Sequence, residues 1–166
     1  MARAGSLLDA PRPMTGGKPV QLATSSTSPG RDALIGTWRL ISFELQSPDG
    51  SVAHPFGKDV TGYLFYNDQG YMSAAFMGSD RARPDGDDLQ ETAKGVNFDA
   101  FNAYTGPFEV KDDRIFHYVE VSSLPQWTGS TQERIFYIDG DRLVLETVPL
   151  QIGGEGPVGV LIWERA

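Results

Sequence analysis

The sequence predicts an all-β fold, an eight-stranded antiparallel closed up-and-down barrel. Short segments rich in Val, Ile, Tyr, Phe and Trp recur from Thr37 to the C-terminus, and this pattern is typical of strands. Turn-forming residues separate the segments at close intervals. Closing the sheet into a barrel removes the exposed strand edges that an open sheet would keep.

The strand pattern occurs eight times, at residues 37–47, 60–66, 71–77, 105–111, 114–122, 131–138, 141–148 and 158–165. Residues 95–104 differ, because their apolar side chains recur at mixed three-residue spacing, which predicts one short helix near the barrel mouth. No ninth strand is predicted at 51–56, since Pro55 cannot donate a ladder hydrogen bond.

Strand direction assigns the turns to the two barrel ends. Neighbouring strands alternate in direction, so the tight turns at 67–70, 112–113 and 139–140 fall at the end that holds Trp38, and Arg165 returns to that end. The longer connections fall at the opposite end, and they are residues 48–59, 78–104, 123–130 and 148–157. This arrangement predicts a cup with Arg165 beside Trp38.

Composition limits the function classes. The 166 residues, 40% of them hydrophobic, are enough for one domain with a core. A net charge of −8 does not favour nucleic acid or an anionic membrane, and the lack of cysteine excludes disulfides and thiol nucleophiles. No apolar stretch reaches the roughly 18 residues of a membrane span. The first residues do not form a signal peptide, so a cytoplasmic location is expected.

Residues 1–33 differ from the rest of the chain and predict an N-terminal arm. They carry four prolines and no aromatic residue, a composition typical of a disordered segment. Their net charge is positive, while residues 34–166, the predicted barrel domain, are strongly acidic. The arm is expected to act as a lid on the barrel or as a strap between two copies, so a homodimer remains an open alternative.

Gly36-Thr37-Trp38 and the terminal Arg165 resemble the G-x-W motif and closing cation of the lipocalin superfamily. The wider pattern is similar to the bacterial and fungal lipocalin-like domain family over residues 34–166. It consists of HPFGKD (54–59), TGY (61–63), GYMSA (70–74), GDRL (140–143) and WER (163–165). The resemblance implies that the Trp ring plugs the closed end with the cation across it, worth roughly 0.5–2 kcal/mol.

Four residues are candidates for catalysis. Strict alternation from Trp38 points Glu44 into the barrel near the mouth, but the alternative is that Phe43 and Leu45 face inward and Glu44 is solvated. His117 shares a strand face with β-branched residues, where it is either a core group or a catalyst. The hydroxyls of Tyr63 and Tyr104 are the remaining candidates, since they could polarise a substrate carbonyl.

Aromatic and hydroxyl groups on strands or mouth loops suit a flat, mostly apolar ligand. The candidate ligand-binding residues are His54, Phe56, Tyr71, Ser73, Phe108 and Trp127. Trp127 is favoured because a loop Trp is seldom needed for packing. With two histidines and no cysteine, neither a metal site nor a metal cofactor is expected.

The first functional hypothesis is a cofactor-independent cyclase or isomerase that encloses a hydrophobic, polyunsaturated or polyketide-like substrate. A pericyclic cyclase of natural-product biosynthesis, of the four-plus-two type, is one example, by analogy of fold. Such a reaction needs only a dry cavity that holds a reactive conformer. The alternatives are a non-catalytic binder or carrier of a hydrophobic ligand, and an interaction module that uses the acidic surface and the arm.

Overall fold

The computed structural model describes residues 30–79, 100–149 and 156–166. These residues contain a four-residue helix α1 (Arg31–Leu34) and a 3-10 helix (Pro125–Trp127). The strands are β1 (Gly36–Gln46), β2 (Val52–Ala53), β3 (Val60–Tyr66), β4 (Tyr71–Gly78), β5 (Phe101–Lys111), β6 (Arg114–Tyr118), β7 (Val121–Ser122), β8 (Thr131–Asp139), β9 (Arg142–Thr147) and β10 (Val158–Arg165).

Eight of these strands close an antiparallel barrel, in the order β1-β3-β4-β5-β6-β8-β9-β10, and β10 pairs with β1 to complete the ring. The two-residue strands lie outside the ring, with β2 paired to β1 and β7 paired to β5. Inward and outward residues alternate along the strands, as in the pattern of buried and exposed residues on β3. The predicted fold class is therefore confirmed.

The predicted helix at 95–104 is wrong over its second half. Residues 101–104 belong to β5, where Asn102 pairs with Phe76 and Tyr104 with Ala74 of β4. Asn102 and Tyr104 are buried in the barrel, while Phe101 and Ala103 are less so. Ladder pairing and period-two burial therefore determine the conformation here, rather than the three-residue spacing of the aromatic residues. Residues 95–99 lie outside the described residues.

Two further strand boundaries differ from the prediction. A short β2 exists within 51–56, but it ends before Pro55 and does not cross the barrel, so the alternation of strand direction is kept. The predicted strand 114–122 is divided between β6 and β7. The backbone of Val119 leaves the ladder because its N–H donates to the Ser130 carbonyl and its own carbonyl accepts from Gly129.

The closed end is built around Trp38, which is fully buried. Its Nε1 donates to the Leu34 carbonyl at 2.8 Å, and the Arg165 guanidinium lies 4.2 Å from the Trp38 ring centroid. Arg165 also donates to the carbonyls of Ala33 at 2.9 Å and Ile35 at 3.1 Å. Arg165 thus joins α1 to the plug residue, and the predicted contact between Trp38 and Arg165 is confirmed.

Helix α1 is held against the tight turn at 67–70. Arg31 donates to the Asp68 carbonyl at 2.6 Å, and its guanidinium lies 5.3 Å from the centroid of Phe108. Gly70 and Gly140 adopt φ angles of +90° and +58° in their turns, a conformation that glycine adopts without steric cost. The short connections therefore lie at the Trp38 end, as strand direction predicts.

A bulge in β1 changes which side chains face the barrel interior. Leu40 pairs with Trp163 and Ser42 with Ile162, so Ile41 is an extra residue without a partner on β10. An extra residue reverses the inward and outward alternation of the strand beyond it. Trp38 and Leu40 are buried before the bulge, whereas Phe43 and Leu45 line the interior after it.

The predicted arm is described only at its end. Residues 1–29 lie outside the described residues, and residues 31–33 belong to α1. The roles expected of the arm, as a lid or a strap, stay predictions. Neither helix in the described ranges has the length and apolar character needed to cross a bilayer.

Candidate functional site

A cavity of about 240 Å³ occupies the mouth half of the barrel interior. One wall is aromatic. Phe43 and Phe56 stack at 5.4 Å between ring centroids, and Phe76 meets both rings edge-on at 5.9 and 5.2 Å. Phe56 comes from the connection between β2 and β3, and the other two come from β1 and β4. The bulge and one mouth connection together therefore form this wall.

Trp127 lines the cavity from the opposite side of the mouth. The 3-10 helix that carries it begins with Pro125, whose fixed φ suits the first helical position. The Trp127 ring lies 5.3 Å from that of Tyr104 in an edge-to-face arrangement of 75°. Trp127 is only partly buried. Its indole therefore offers an aromatic surface to the cavity.

The cavity also contains a buried cation, Arg134 of β8, which is 6% exposed. Its guanidinium donates to the Glu133 carbonyl at 2.7 Å and to Gln132 Oε1 at 3.4 Å. The neighbouring carboxylate of Glu133 pairs instead with Arg114. Among the residues that the structure describes, Arg134 forms no ion pair.

A hydrogen-bonded chain of three rings runs from the cavity towards the closed end. Tyr104 Oη lies 3.2 Å from His117 Nδ1, and Tyr66 Oη lies 2.8 Å from His117 Nε2. His117 is fully buried and Tyr66 almost so, while Tyr104 lines the cavity. This hydrogen-bonded chain thus connects the Tyr104 hydroxyl at the cavity to Tyr66 near the closed end.

Hydrogen-bond requirements select one arrangement of protons in this chain. A neutral imidazole has one donor and one acceptor nitrogen. In the described part of the chain, His117 is the hydrogen-bond partner of the buried Tyr66 hydroxyl, so we infer that Tyr66 donates to Nε2. His117 Nδ1 then donates to Tyr104, and the Tyr104 O–H remains available for an acceptor inside the cavity.

The protonation states of this chain follow from burial. Burial, and secondarily the positive charge of Arg134, lower the pKa of His117 well below its ordinary value. Burial raises the pKa of Tyr66 well above its ordinary value. It also raises the pKa of Tyr104, and Arg134 opposes that rise. At neutral pH the three rings are uncharged, and Arg134 carries the positive charge.

The neutral His117 predicts acid sensitivity. In the unfolded chain it takes up a proton near pH 6.5, whereas the folded protein resists protonation to a lower pH. The contribution of the neutral His117 to the free energy of unfolding is therefore fully present above about pH 6.5. Below that it falls by up to about 1.4 kcal/mol per pH unit until the pH reaches the folded pKa. Urea unfolding between pH 7 and pH 5 measures the slope.

A His117→Gln variant is the control for this pH dependence, because glutamine can bond both tyrosine hydroxyls but does not titrate. Its unfolding free energy should fall less steeply between pH 7 and pH 5 than that of the wild type. Equal slopes for the two proteins would contradict a buried neutral histidine as the cause.

Trp163, which lines the same cavity, carries an unusual buried group. Within the described ranges, its Nε1 is the buried side-chain polar atom without a hydrogen-bond partner. The Trp163 side chain lines the cavity and packs edge-on against Phe76 at 6.3 Å. An unpaired buried donor costs about 1–3 kcal/mol.

Of the residues singled out from the sequence, Phe56, Tyr104 and Trp127 line the cavity, and His117 lies directly behind Tyr104. Phe108 is buried near the closed end, against Tyr66 and Arg31. His54 lies in the turn before β3, next to the cavity-lining Pro55, and does not itself line the cavity.

The other candidates lie on the outer surface of the barrel. Tyr63 and Tyr71 are 47% and 49% exposed, and Ser73 lines a separate groove on the outside of β4 and β5. Glu44 does not line the cavity, and its carboxylate accepts from Gln46 Nε2 at 3.2 Å in an exposed position. The inward direction predicted for Glu44 is wrong, because the bulge at Ile41 reverses the alternation.

Three residues that no sequence pattern had singled out also line the cavity, and they are Gln132, Arg134 and Trp163. Period-two alternation along β8 places Gln132 and Arg134 on the same face as Phe136, which is buried. That alternation is the signal that could have identified them. In the part of the chain that the structure describes, no three His, Asp or Glu side chains are grouped as a metal site requires.

A closed eight-stranded barrel with one plugged end and an internal cavity defines the class of cup-shaped antiparallel barrels. The family described as "lipocalin-like domain" matches residues 35–166. The chain belongs to this family, as its motifs predicted.

One curated relative is the 4'-hydroxy-3'-methoxypropiophenone carrier protein ppsC of Aspergillus oryzae, 44% identical over 72 residues. The match covers 38% of this chain and 65% of that protein, so it spans less than two thirds of the relative. Two solved structures each match 80% of this chain with a TM-score of 0.43.

The first of these structures is an uncharacterized protein from Bacteroides eggerthii, 14% identical, with 99% of its chain covered. The second is a lipocalin-like protein from Bacteroides uniformis, 16% identical, with 98% of its chain covered. At this distance neither structure bears on the site.

Proposed function

We propose that this protein binds and encloses one small, flat, largely apolar molecule that carries an aromatic ring. The observation that carries the proposal is the cavity itself, with the stacked rings of Phe43 and Phe56 on one side and Trp127 on the other. Ring faces and edges of this kind favour a planar aromatic guest. The volume of about 240 Å³ lies below the roughly 300–1,000 Å³ of drug-sized pockets, which favours a ligand with one or two rings.

The Aspergillus oryzae relative supports the same ligand class. Its name describes a carrier of 4'-hydroxy-3'-methoxypropiophenone, an aromatic ketone with a phenolic hydroxyl group. We refer to this compound as the hydroxyaryl ketone. The polar groups of the cavity, Arg134 and the Tyr104 hydroxyl, could bond its oxygen atoms.

Replacing Trp127 with alanine tests the binding role. Loss of the rim aromatic should weaken binding of the hydroxyaryl ketone about tenfold, measured by isothermal titration calorimetry. Because Trp127 is only partly buried, the thermal unfolding midpoint should change by less than about 4 °C.

The exposed neighbour Gln126, changed to alanine, is the matched control in the same 3-10 helix and should leave both quantities unchanged. A large loss of thermal stability with unchanged affinity would make Trp127 a packing residue. Failure of the wild type to bind the ketone would count against this ligand class.

Catalysis is a second candidate function, as a cofactor-independent cyclase or isomerase of polyketide-like compounds. The observation that favours it is the pairing of a cationic Arg134 with a neutral Tyr104 hydroxyl at one cavity. Together they could stabilise the negative charge that develops on a carbonyl oxygen during enolisation or cyclisation. Chromatography of polyunsaturated ketones incubated with protein separates the two functions, because a carrier returns its ligand unchanged.

A further inference from the structure

We propose that the cavity binds its ligand as an oxygen anion, with Arg134 as the counter-ion, and that the ligand is an acidic phenol conjugated to a carbonyl group. This inference rests on the proposed function, because it names the chemistry of the molecule that the aromatic cavity encloses. It assigns to Arg134 a role in recognition rather than in stabilising the barrel.

Arg134 is a buried charge that forms no ion pair within the described residues. Removing a guanidinium from water costs several kcal/mol unless a partner of opposite charge compensates it. Arg134 is 6% exposed, and the bonds that it forms within the described ranges go to neutral oxygens of Glu133, Gln132 and Tyr104. The guanidinium has five N–H donors, so donors remain for a further acceptor in the cavity.

Comparison with the outer arginines strengthens this point. Arg114 on β6 forms an ion pair with Glu133, and Arg39 on β1 forms one with Glu164, both on the outside of the barrel. The structure thus provides carboxylates for two partly exposed arginines. The more deeply buried Arg134 faces an apolar cavity instead.

The cavity lining has donor character. The Tyr104 O–H is available once His117 Nδ1 donates to its oxygen. Among the described lining residues there is no carboxylate. A lining with a cation and donors recognises a ligand that presents acceptors, and an oxygen anion is the strongest acceptor of this kind.

The apolar part of the lining indicates the kind of anion. The rest of the cavity is aromatic and apolar, so a compact, hydrated anion such as phosphate would lose its water without compensation. A phenolate conjugated to a carbonyl spreads its charge over a flat ring system. Such an anion suits both the guanidinium and the stacked rings of Phe43 and Phe56.

The test compares the hydroxyaryl ketone with its phenol methyl ether, which has the same ring and ketone but no acidic hydrogen. Absorption spectra of the phenol across a pH series, free and bound to the wild type, report its ionisation, because the phenolate absorbs at longer wavelength. Binding should lower the pKa of the phenol by about one unit or more, equal to a tenfold or larger preference for the anion.

An Arg134→Gln variant should abolish this spectral shift and weaken binding of the phenolate by about 10- to 100-fold. Binding of the methyl ether should change by less than about threefold. Arg39→Gln is the matched control, since it removes an equal charge from the outer surface, and it should behave as the wild type. Arg134→Lys keeps the charge and should retain part of the shift.

Each result decides the question. If the wild type binds both compounds and the bound phenol keeps its solution pKa, or a higher one, the inference is overturned while the proposed function stands. The same holds if Arg134→Gln weakens both compounds equally. If neither compound binds the wild type, the proposed function fails, and the inference falls with it. The wild-type spectra suffice if Arg134→Gln does not fold.

Discussion

Replacing Trp38 with alanine will destabilise the barrel by about 3–5 kcal/mol, the usual range for removing a buried tryptophan. The Trp38 ring is fully buried, and its centroid lies 4.2 Å from the Arg165 guanidinium. Its Nε1 donates to the Leu34 carbonyl at 2.8 Å. The substitution therefore creates a cavity at the closed end and removes the contacts that hold α1 and Arg165 there. Urea unfolding monitored by circular dichroism measures the loss.

Trp127→Ala provides a matched comparison, because it makes the same chemical change at the opposite end of the barrel. Trp38→Ala should lower stability and leave the ligand affinity of the folded protein within about threefold, since Trp38 does not line the cavity. Trp127→Ala should weaken ligand binding and change the stability of the barrel little. If Trp38→Ala cost less than about 1 kcal/mol, the closed end would not depend on this plug.

Replacing Gly106 with alanine will cost about 3 kcal/mol or more, at the upper end of the range for overpacking. A Cβ at Gly106 would lie far closer to the Tyr118 carbonyl oxygen than van der Waals contact allows, and 3.0 Å from the carbonyl carbon. Both atoms belong to the backbone at the break between β6 and β7, where Glu120 donates to the Thr105 carbonyl at 2.9 Å. The backbone must shift because no side-chain rotation can relieve the contact.

Gly30→Ala is the control for this substitution, since a Cβ there would meet no atom of the described residues within 4 Å. We expect its free energy of unfolding to stay within about 0.5 kcal/mol of the wild type. Comparable stability of Gly106→Ala and Gly30→Ala would show that the segment between β6 and β7 can move away from β5 at little cost.

The sequence predicted the features that depend on local chemistry. The turns at Gly70 and Gly140 require positive φ angles, which favour glycine. The structure has strand boundaries at both turns, as the sequence predicted. Strand direction then placed Arg165 beside Trp38 without any knowledge of side-chain contacts. These inferences succeed because a hairpin turn and a strand direction are set by neighbouring residues.

The features that the sequence did not predict depend on pairing between distant strands. The bulge at Ile41 exists only in relation to β10, so alternation along β1 alone directed Glu44 inward. Phe101 and Tyr104 have helix-like spacing, yet pairing with β4 makes them part of β5. Arg134 was missed because exposed arginines are common on strands, and its burial depends on the barrel closing around it.

The bulge in β1 also determines where this cup could be redesigned. Before Ile41 the inward side chains, Trp38 and Leu40, hold the closed end together, whereas after it Phe43 and Leu45 face the cavity. One strand thus carries a structural half and an adaptable half, separated by a single inserted residue. An engineer who seeks a new ligand preference has two positions on this strand at which cavity shape can be varied while the plug is left intact.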